Sequence, residues 1–392
     1  MSVDGQGHRR SERDLRLDFF RGIGMCIILI AHIPGNAWVN WIPARFGFSD
    51  ATEIFVFCSG MASAHAFARV FDRHGWTVGT LRIGLRVWQI WWAQIGVFIA
   101  VLALMVAADR LFETDAYTRL LQLQRFLTDP GSGLLGLMSL TYVPNYFDIL
   151  PMYLVILVLI PVMLGLERLQ GRGAALAAMV LLWCLAQTRL IALPADPWMT
   201  RQWFFDPFGW QLVFFTGFAL VRGWLPAPPR SAALALAAVA VIALAVPFSW
   251  LPLVRALPVL ELVRDLILPL TGKTQFGLLR FVHFLALAYL AWWLVGPAGS
   301  RLDGMLVRGC VLIGRQSLAV FLAGLVAAQV LGIVLHRSGG GPVVVPLLNL
   351  AGILVLLVTG GVVDWYKAQP WTRPATRSAD APPPLARPVG LS

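Results

Sequence analysis

The chain has 392 residues, of which 58% are hydrophobic and only 13% charged. That charged share is about half the soluble average, which excludes an ordinary soluble domain and, with 16 tryptophans, points to an all-α polytopic membrane protein. The formal net charge of +11 would suggest nucleic acid in a soluble chain; here the arginines punctuate apolar segments, so they read as topology signals and no nucleic-acid partner is expected.

In chain order, a basic cytoplasmic leader (1–18) precedes a transmembrane domain (19–366) and a tail (367–392). Ten segments are long and apolar enough to span: 19–38, 50–70, 85–108, 147–166, 173–193, 206–223, 231–250, 276–296, 311–335 and 342–364. The first follows a basic leader as a signal peptide would, but it is long and lacks a small-x-small cleavage site, so it reads as a span. The connection 109–146 is amphipathic around Leu120 to Leu127 and is expected on the membrane surface. With a cytoplasmic N-terminus most of the 31 basic residues fall on the inner side, which places both termini in the cytoplasm of a multi-pass inner-membrane protein. The tail after Pro370 is rich in Pro, Arg and Ala without an apolar period and reads as disordered. The cysteines Cys26, Cys58, Cys184 and Cys310 form no CxxC pair, so neither a metal site nor a disulfide framework is indicated.

The polar residues inside these spans carry the chemistry. Arg21 and His32 stand on the first span, on one helical stripe and roughly 16 Å apart along the axis. A buried imidazole is costly in a bilayer unless it has a partner or lines a wet cavity, which marks a candidate site. At the predicted outer ends of other spans stand Asp50 and Glu53, Asn145 and Asp148, Asp206, and Arg280 with His283. Their shared depth favours one polar pocket around His32. Each also has a plain structural role open to it: Asp50-Ala-Thr-Glu53 fits a variant capping box, Asp148 and Asp206 suit helix N-termini, and Arg280 suits snorkelling. At the inner face Arg82 and Arg86 share a helix face and lie at a depth similar to Arg21, a set suited to phosphate oxygens or to ordinary positive-inside charge. There is no Walker motif, no GxGxxG before a helix and no HExxH, and Gly339-Gly-Gly-Pro342 reads as a turn.

Arg21-x10-His32 resembles the signature of the acyltransferase-3 superfamily, and Glu53-Ile-Phe-Val-Phe-Cys-Ser-Gly60 resembles its second span. The similarity is closer to the OpgC branch, which modifies osmoregulated periplasmic glucans. It is carried by Leu15-Arg-Leu-Asp-Phe-Phe-Arg-Gly22, Phe48-Ser-Asp-Ala-Thr-Glu-Ile-Phe-Val-Phe57, Tyr146-Phe-Asp-Ile-Leu-Pro-Met-Tyr153 and Asp206-Pro-Phe-Gly-Trp-Gln211. Arg280-Phe-Val-His-Phe-Leu-Ala-Leu-Ala-Tyr289 and Gly314-Arg-Gln-Ser-Leu-Ala-Val-Phe321 continue it; Cys58 and Gln275 are mild departures. The resemblance implies O-acyl transfer, typically of succinyl, from a cytoplasmic acyl-CoA (succinyl-CoA) to hydroxyls of a periplasmic glucan, with no permanently bound cofactor. Under it His32 is the expected general base or acyl carrier, with Glu53 or Asp50 orienting its ring. Arg280 or His283 is expected to stabilise the oxyanion, and Arg21, Arg82 and Arg86 to hold the donor. Direct transfer and an acyl-enzyme both stay open. A transporter or flippase of a glycan-related solute is the rival, since intramembrane charges also mark solute pathways; the lack of an internal repeat speaks against it. An inactive relative that only binds its partner glycan machinery is a third reading.

Overall fold

The computed structural model describes residues 14–369 and 371. The leader before Asp14 and most of the tail expected to be disordered lie outside the described residues. Within them the chain is all-helical and contains no strand, only an isolated bridge between Pro194 and Gln202. In order the helices are α1 (Leu15–His32), α2 (Ala51–Ser63), α3 (Arg69–Leu111), α4 (Ala116–Leu120), α5 (Gln124–Thr128), α6 (Pro130–Ser139), α7 (Ile149–Gln170) and α8 (Arg172–Gln187). There follow α9 (Pro207–Arg222), α10 (Ala232–Ser249), α11 (Leu251–Ala256), α12 (Pro258–Thr271), α13 (Leu278–Leu294), α14 (Met305–Arg315), α15 (Ser317–Arg337) and α16 (Val344–Ala368).

Among the described residues five helices are long and apolar enough to cross a membrane: the continuous 51–111, then α7, α10, α15 and α16. The helices α8 and α13 are apolar but shorter. The length-based set is smaller than the ten expected segments for identifiable reasons. The connection expected between 70 and 85 is helical: a π-helical turn over Ala64–Ala68 joins α2 to α3, and only Gly75 (φ 80°) leaves helical geometry. The first turns of α1 are given to Arg16, Asp18 and Arg21. At 16 residues α9 rises only about 24 Å. Every residue of α9 from Gly209 to Ala219 is buried, against α2, α7 and α8, so α9 meets protein on all sides and its apolarity serves packing. The expected span 311–335 is divided at Gln316, which separates α14 from α15.

The 109–146 connection is not a free surface helix. It forms α4, α5 and α6, and Leu121, Leu123 and Phe126 pack with Phe98, Met105 and Tyr142 in a second core, leaving Leu120 and Leu127 outward. Asp109 anchors it: its carboxylate accepts from the Tyr117 and Thr118 backbone N–H groups (3.0 and 2.9 Å) and from the Thr118 hydroxyl (2.6 Å).

Two glycine seams bring helix backbones together. On α1 and α14, a Cβ at Gly22 would lie 1.9 Å from the Cys310 carbonyl oxygen, and one at Gly314 would lie 1.8 Å from that of Asp18. On α2 and α9, a Cβ at Gly60 would lie 1.9 Å from the Phe214 carbonyl oxygen, and one at Gly217 would lie 2.4 Å from that of Phe57. In lipid, where apolar side chains gain little by leaving the solvent, such close backbone contact is a principal source of helix association. Gly60→Leu should therefore lower stability by about 1–3 kcal/mol or prevent assembly. Gly84→Leu, on an open face of α3, should stay within about 0.5 kcal/mol of the parent. Thermal unfolding of both purified variants in detergent checks this; equal midpoints would remove the seam from the account.

Candidate active site

The site begins at the end of α1. The next residues, Ile33 and Pro34, cannot continue the helix: Ile33 is extended, and proline constrains the residue before it. The last helical side chain, His32, turns back so that Nδ1 lies 2.7 Å from the Ile28 carbonyl oxygen. A carbonyl only accepts, so Nδ1 carries the hydrogen and Nε2 keeps its lone pair. The ring of Tyr146 stands edge-on at 5.1 Å, on a residue held at φ 73°, a left-handed conformation uncommon for tyrosine. Below the imidazole, Asn36 and Asn349 exchange side-chain amide bonds of 2.8 and 3.0 Å, both buried, and fix the segment after α1 to α16.

Asp50 and Glu53 form the capping box that opens α2. Asp50 Oδ1 accepts from Thr52 N at 2.7 Å, and Glu53 Oε2 accepts from Asp50 N at 2.8 Å. Each carboxylate has a second oxygen, and each of these meets a cation. Lys273 Nζ donates to Asp50 Oδ2. Arg280 NH1 donates to Glu53 Oε1 at 2.6 Å, with Glu53 wholly buried, while Arg280 Nε donates to the Thr271 carbonyl at 3.2 Å. The expected contact between Glu53 and the His32 ring is thus replaced by the Ile28 carbonyl, because the capping box and Arg280 occupy both Glu53 oxygens. The two acids and two cations balance in charge, as burial in a low-dielectric region requires.

The loop 272–277 that presents Lys273 is held by its carbonyls. Trp210 Nε1 donates to Lys273 O (2.8 Å), Asp206 N to Thr274 O (3.0 Å), Gln187 Nε2 to Gln275 O (2.7 Å) and Trp183 Nε1 to Phe276 O (2.8 Å). Gly209 allows the approach, since a Cβ there would lie 2.3 Å from Gln275 O. The Lys273 ammonium also stands 5.4 Å from the Phe205 ring centroid. Lys273 and Asp50 are the neighbouring charges that His32 feels.

The remaining expected residues divide. His283 is buried one turn beyond Arg280, its Nδ1 2.7 Å from Ser49 Oγ, with Nε2 against Gly47, where a Cβ would lie 2.3 Å away. Asp206 caps α9 by accepting from Phe208 N at 2.9 Å, and its backbone joins the Lys273 loop. Asn145 is half-buried in the turn before Tyr146. Asp148 is buried in the field of Arg201, whose guanidinium donates to the Val143 and Ala195 carbonyls (2.8 and 3.1 Å). His32, Asp50, Glu53, Arg280 and His283 thus belong to one polar end, and Asp148 to an adjoining one. Sequence reasoning missed Tyr146 and Lys273. The available signal for Lys273 was composition: it is one of only two lysines in an arginine-rich chain.

At the opposite end of α1, Arg21 donates to Ser317 Oγ on α15 and lies 5.8 Å from the Phe55 ring centroid, which stacks on Phe321 at 6.4 Å. Against His32, between α1 and α15, lies a small apolar crevice lined by Met25, Ile28, Val320, Phe321 and Gly324, with room for little more than a water molecule, about 10 Å³; Arg21 is not among its walls. Arg82 and Arg86 stand on α3, exposed and half-buried respectively, and Arg86 reaches Gln89 Oε1 at 3.4 Å. Among the described residues no group of three or more His, Cys, Asp or Glu side chains is arranged to hold a metal. The polar end therefore offers an imidazole whose Nε2 can accept a proton, within electrostatic range of a fixed ammonium. That combination can take a proton and steady a developing negative charge.

A family model described as OpgC protein matches residues 13–368, nearly the whole chain. No curated protein and no solved structure matches.

The buried pair gives a stability test that needs no activity. Glu53→Gln should cost about 3–5 kcal/mol by stranding Arg280, and Arg280→Gln a similar amount. The double variant should recover more than half of either loss, as read by thermal unfolding in detergent. Additive losses would show that the two side chains are not a pair.

Proposed function

The chain belongs to the OpgC family, and on that premise we propose that it is a membrane O-acyltransferase that passes an acyl group, succinyl in our reading, from a cytoplasmic acyl-CoA to a hydroxyl of a periplasmic glucan. The observation that carries the reading is His32, with Nδ1 bonded to Ile28 so that Nε2 keeps its lone pair, within electrostatic range of the Asp50–Lys273 pair. In the proposed step Nε2 takes the proton of the acceptor hydroxyl as its oxygen attacks the thioester carbonyl. The C–O bond forms, the C–S bond breaks, and the imidazolium returns the proton to the departing CoA sulfur. Lys273 is our candidate cation to steady the oxyanion, because it lies within electrostatic range of His32. The alternative route through an acyl-His32 uses the same lone pair as nucleophile.

Arg21 stands at the other end of α1 and is our candidate for the donor's phosphates, with Arg82 and Arg86 as outlying members. The apolar crevice against His32 supports a seat for the donor's thioester end, on condition that α1 and α15 separate to admit it. Ten crossings with both termini cytoplasmic remain our topology. In that topology α1, α8, α9 and α13 supply the crossings outside the longer set, and 51–111, broken at Gly75, accounts for two.

Reconstitution in proteoliposomes, with acyl-CoA on one side and glucan on the other, tests the reaction and its sidedness together. His32→Ala should reduce transfer by about 10²–10⁴ while the protein stays inserted and folded. Arg21→Ala should raise the KM for acyl-CoA more than that for glucan. Near-normal glucan acylation by a well-expressed His32→Ala protein would sink the mechanism.

A further inference from the structure

Gln329 on α15 is 1% exposed, and among the described residues neither its Oε1 nor its Nε2 has a hydrogen-bond partner. A buried amide atom left unpaired costs about 1–3 kcal/mol, so the group is an unmet demand for both a donor and an acceptor. It lines a cavity of about 550 Å³, within the range that takes a compact organic ligand. The other walls are mainly apolar, including Met105 and Gly332, and no charged side chain lines them. Tyr117 and His336 form a polar edge, with the tyrosine hydroxyl 3.0 Å from His336 Nδ1. The exposed turn at Gly339 and Gly340, both at positive φ (71° and 57°), forms part of the rim.

Charge, shape and the unpaired amide together narrow the ligand class. An alkyl chain would cover the walls and leave Gln329 unpaired. An anion or cation would find no counter-charge. A pyranose fits both demands once the Gln329 amide, whose Oε1 and Nε2 are closed to water in this structure, turns into the cavity: its C–H face covers apolar walls, and its hydroxyls can donate to Oε1 and accept from Nε2. The cavity is also joined to the polar end by covalent chain, since Pro34 and Gly35 in its wall lie two and three residues after His32. We propose that this cavity is a subsite for one hexose of the acceptor glucan, with Gln329 its hydroxyl-reading residue. The proposal rests on the acyl-transfer reading above and names where the acceptor chain is seated beyond the unit that reacts.

The test uses the full-length protein in nanodiscs, with cellobiose and maltose as probes and no donor. Saturation-transfer NMR should show contact with a disaccharide in the parent protein, and Gln329→Leu should weaken it. In the transfer assay Gln329→Leu should raise the KM for glucan roughly tenfold, with kcat changed less. Ala116→Trp, which fills the cavity from its exposed α4 side and leaves Gln329 in place, should do the same if Gln329→Leu fails to fold. No saturation transfer in the parent, or equal transfer in parent and both variants, would overturn the subsite and leave the cavity to water. Co-purified lipid that Ala116→Trp displaces, without any disaccharide contact, would assign it to an acyl chain and overturn it equally. Glucan acylation at parental KM in Gln329→Leu would reject the subsite and keep the reaction. Disaccharide contact without acylation would reject the reaction and keep the subsite.

Discussion

Two carboxylates and two cations, Asp50 with Lys273 and Glu53 with Arg280, hold the polar end of this bundle together. The acids sit in the first turn of α2, and the cations come from the loop and first turn before and within α13, more than 220 residues later. Ions in an apolar bundle are tolerated only when matched, so the four groups fix the relative position of α2 and α13 as firmly as any packing contact. They also determine what is left for chemistry. Glu53 gives one oxygen to Arg280 and the other to the capping box, whereas Lys273 keeps two ammonium hydrogens beyond its bond to Asp50. His32, held by its own helix rather than by a carboxylate, keeps its second nitrogen.

Everything else at that end serves this arrangement. The carbonyls of 273–276 are each tied by a side chain or backbone donor from α8 or α9, so the Lys273 loop cannot drift from Asp50. α9 can supply those donors because it is buried along its length, and it is buried because Gly60 and Gly217 let α2 approach to backbone contact. On the far side, the Gly22–Gly314 seam and the Asn36–Asn349 amide pair fix both ends of α1, and with it the reach between Arg21 and His32. The glycine seams, the sheathed helix and the ion pairs form one chain of dependence from sequence to site.

Much of this was legible in the sequence because charge inside apolar segments is expensive and therefore conspicuous. The placement of Arg21 and His32 on one helix and the Asp50–Glu53 capping box were readable on that ground, as was the OpgC resemblance. What could not be read was pairing. Nothing local in Lys273 or Arg280 names Asp50 or Glu53, and the orienting partner of His32 is a backbone carbonyl, which has no letter in the sequence. Tyr146 was hidden because its importance lies in a left-handed backbone, a conformation its residue type does not advertise. Helix ends failed for a related reason. Apolar runs mark buried segments, but α9 is apolar for packing, and the charged 70–85 stretch is helical on either side of a single break at Gly75. The surface reading of 109–146 missed Asp109, whose three hydrogen bonds fold that stretch back onto α3.

The central claim is that the Asp50–Lys273 pair and His32 act as one catalytic unit. The most direct measurement is a double-mutant cycle on the acyl-transfer rate with Asp50→Asn, Lys273→Met and their combination, each normalised to folded protein. If Asp50 acts by holding Lys273 at the reacting centre, the double variant should be no slower than the worse single variant. Losses that multiply, as for two independent residues, would contradict the account.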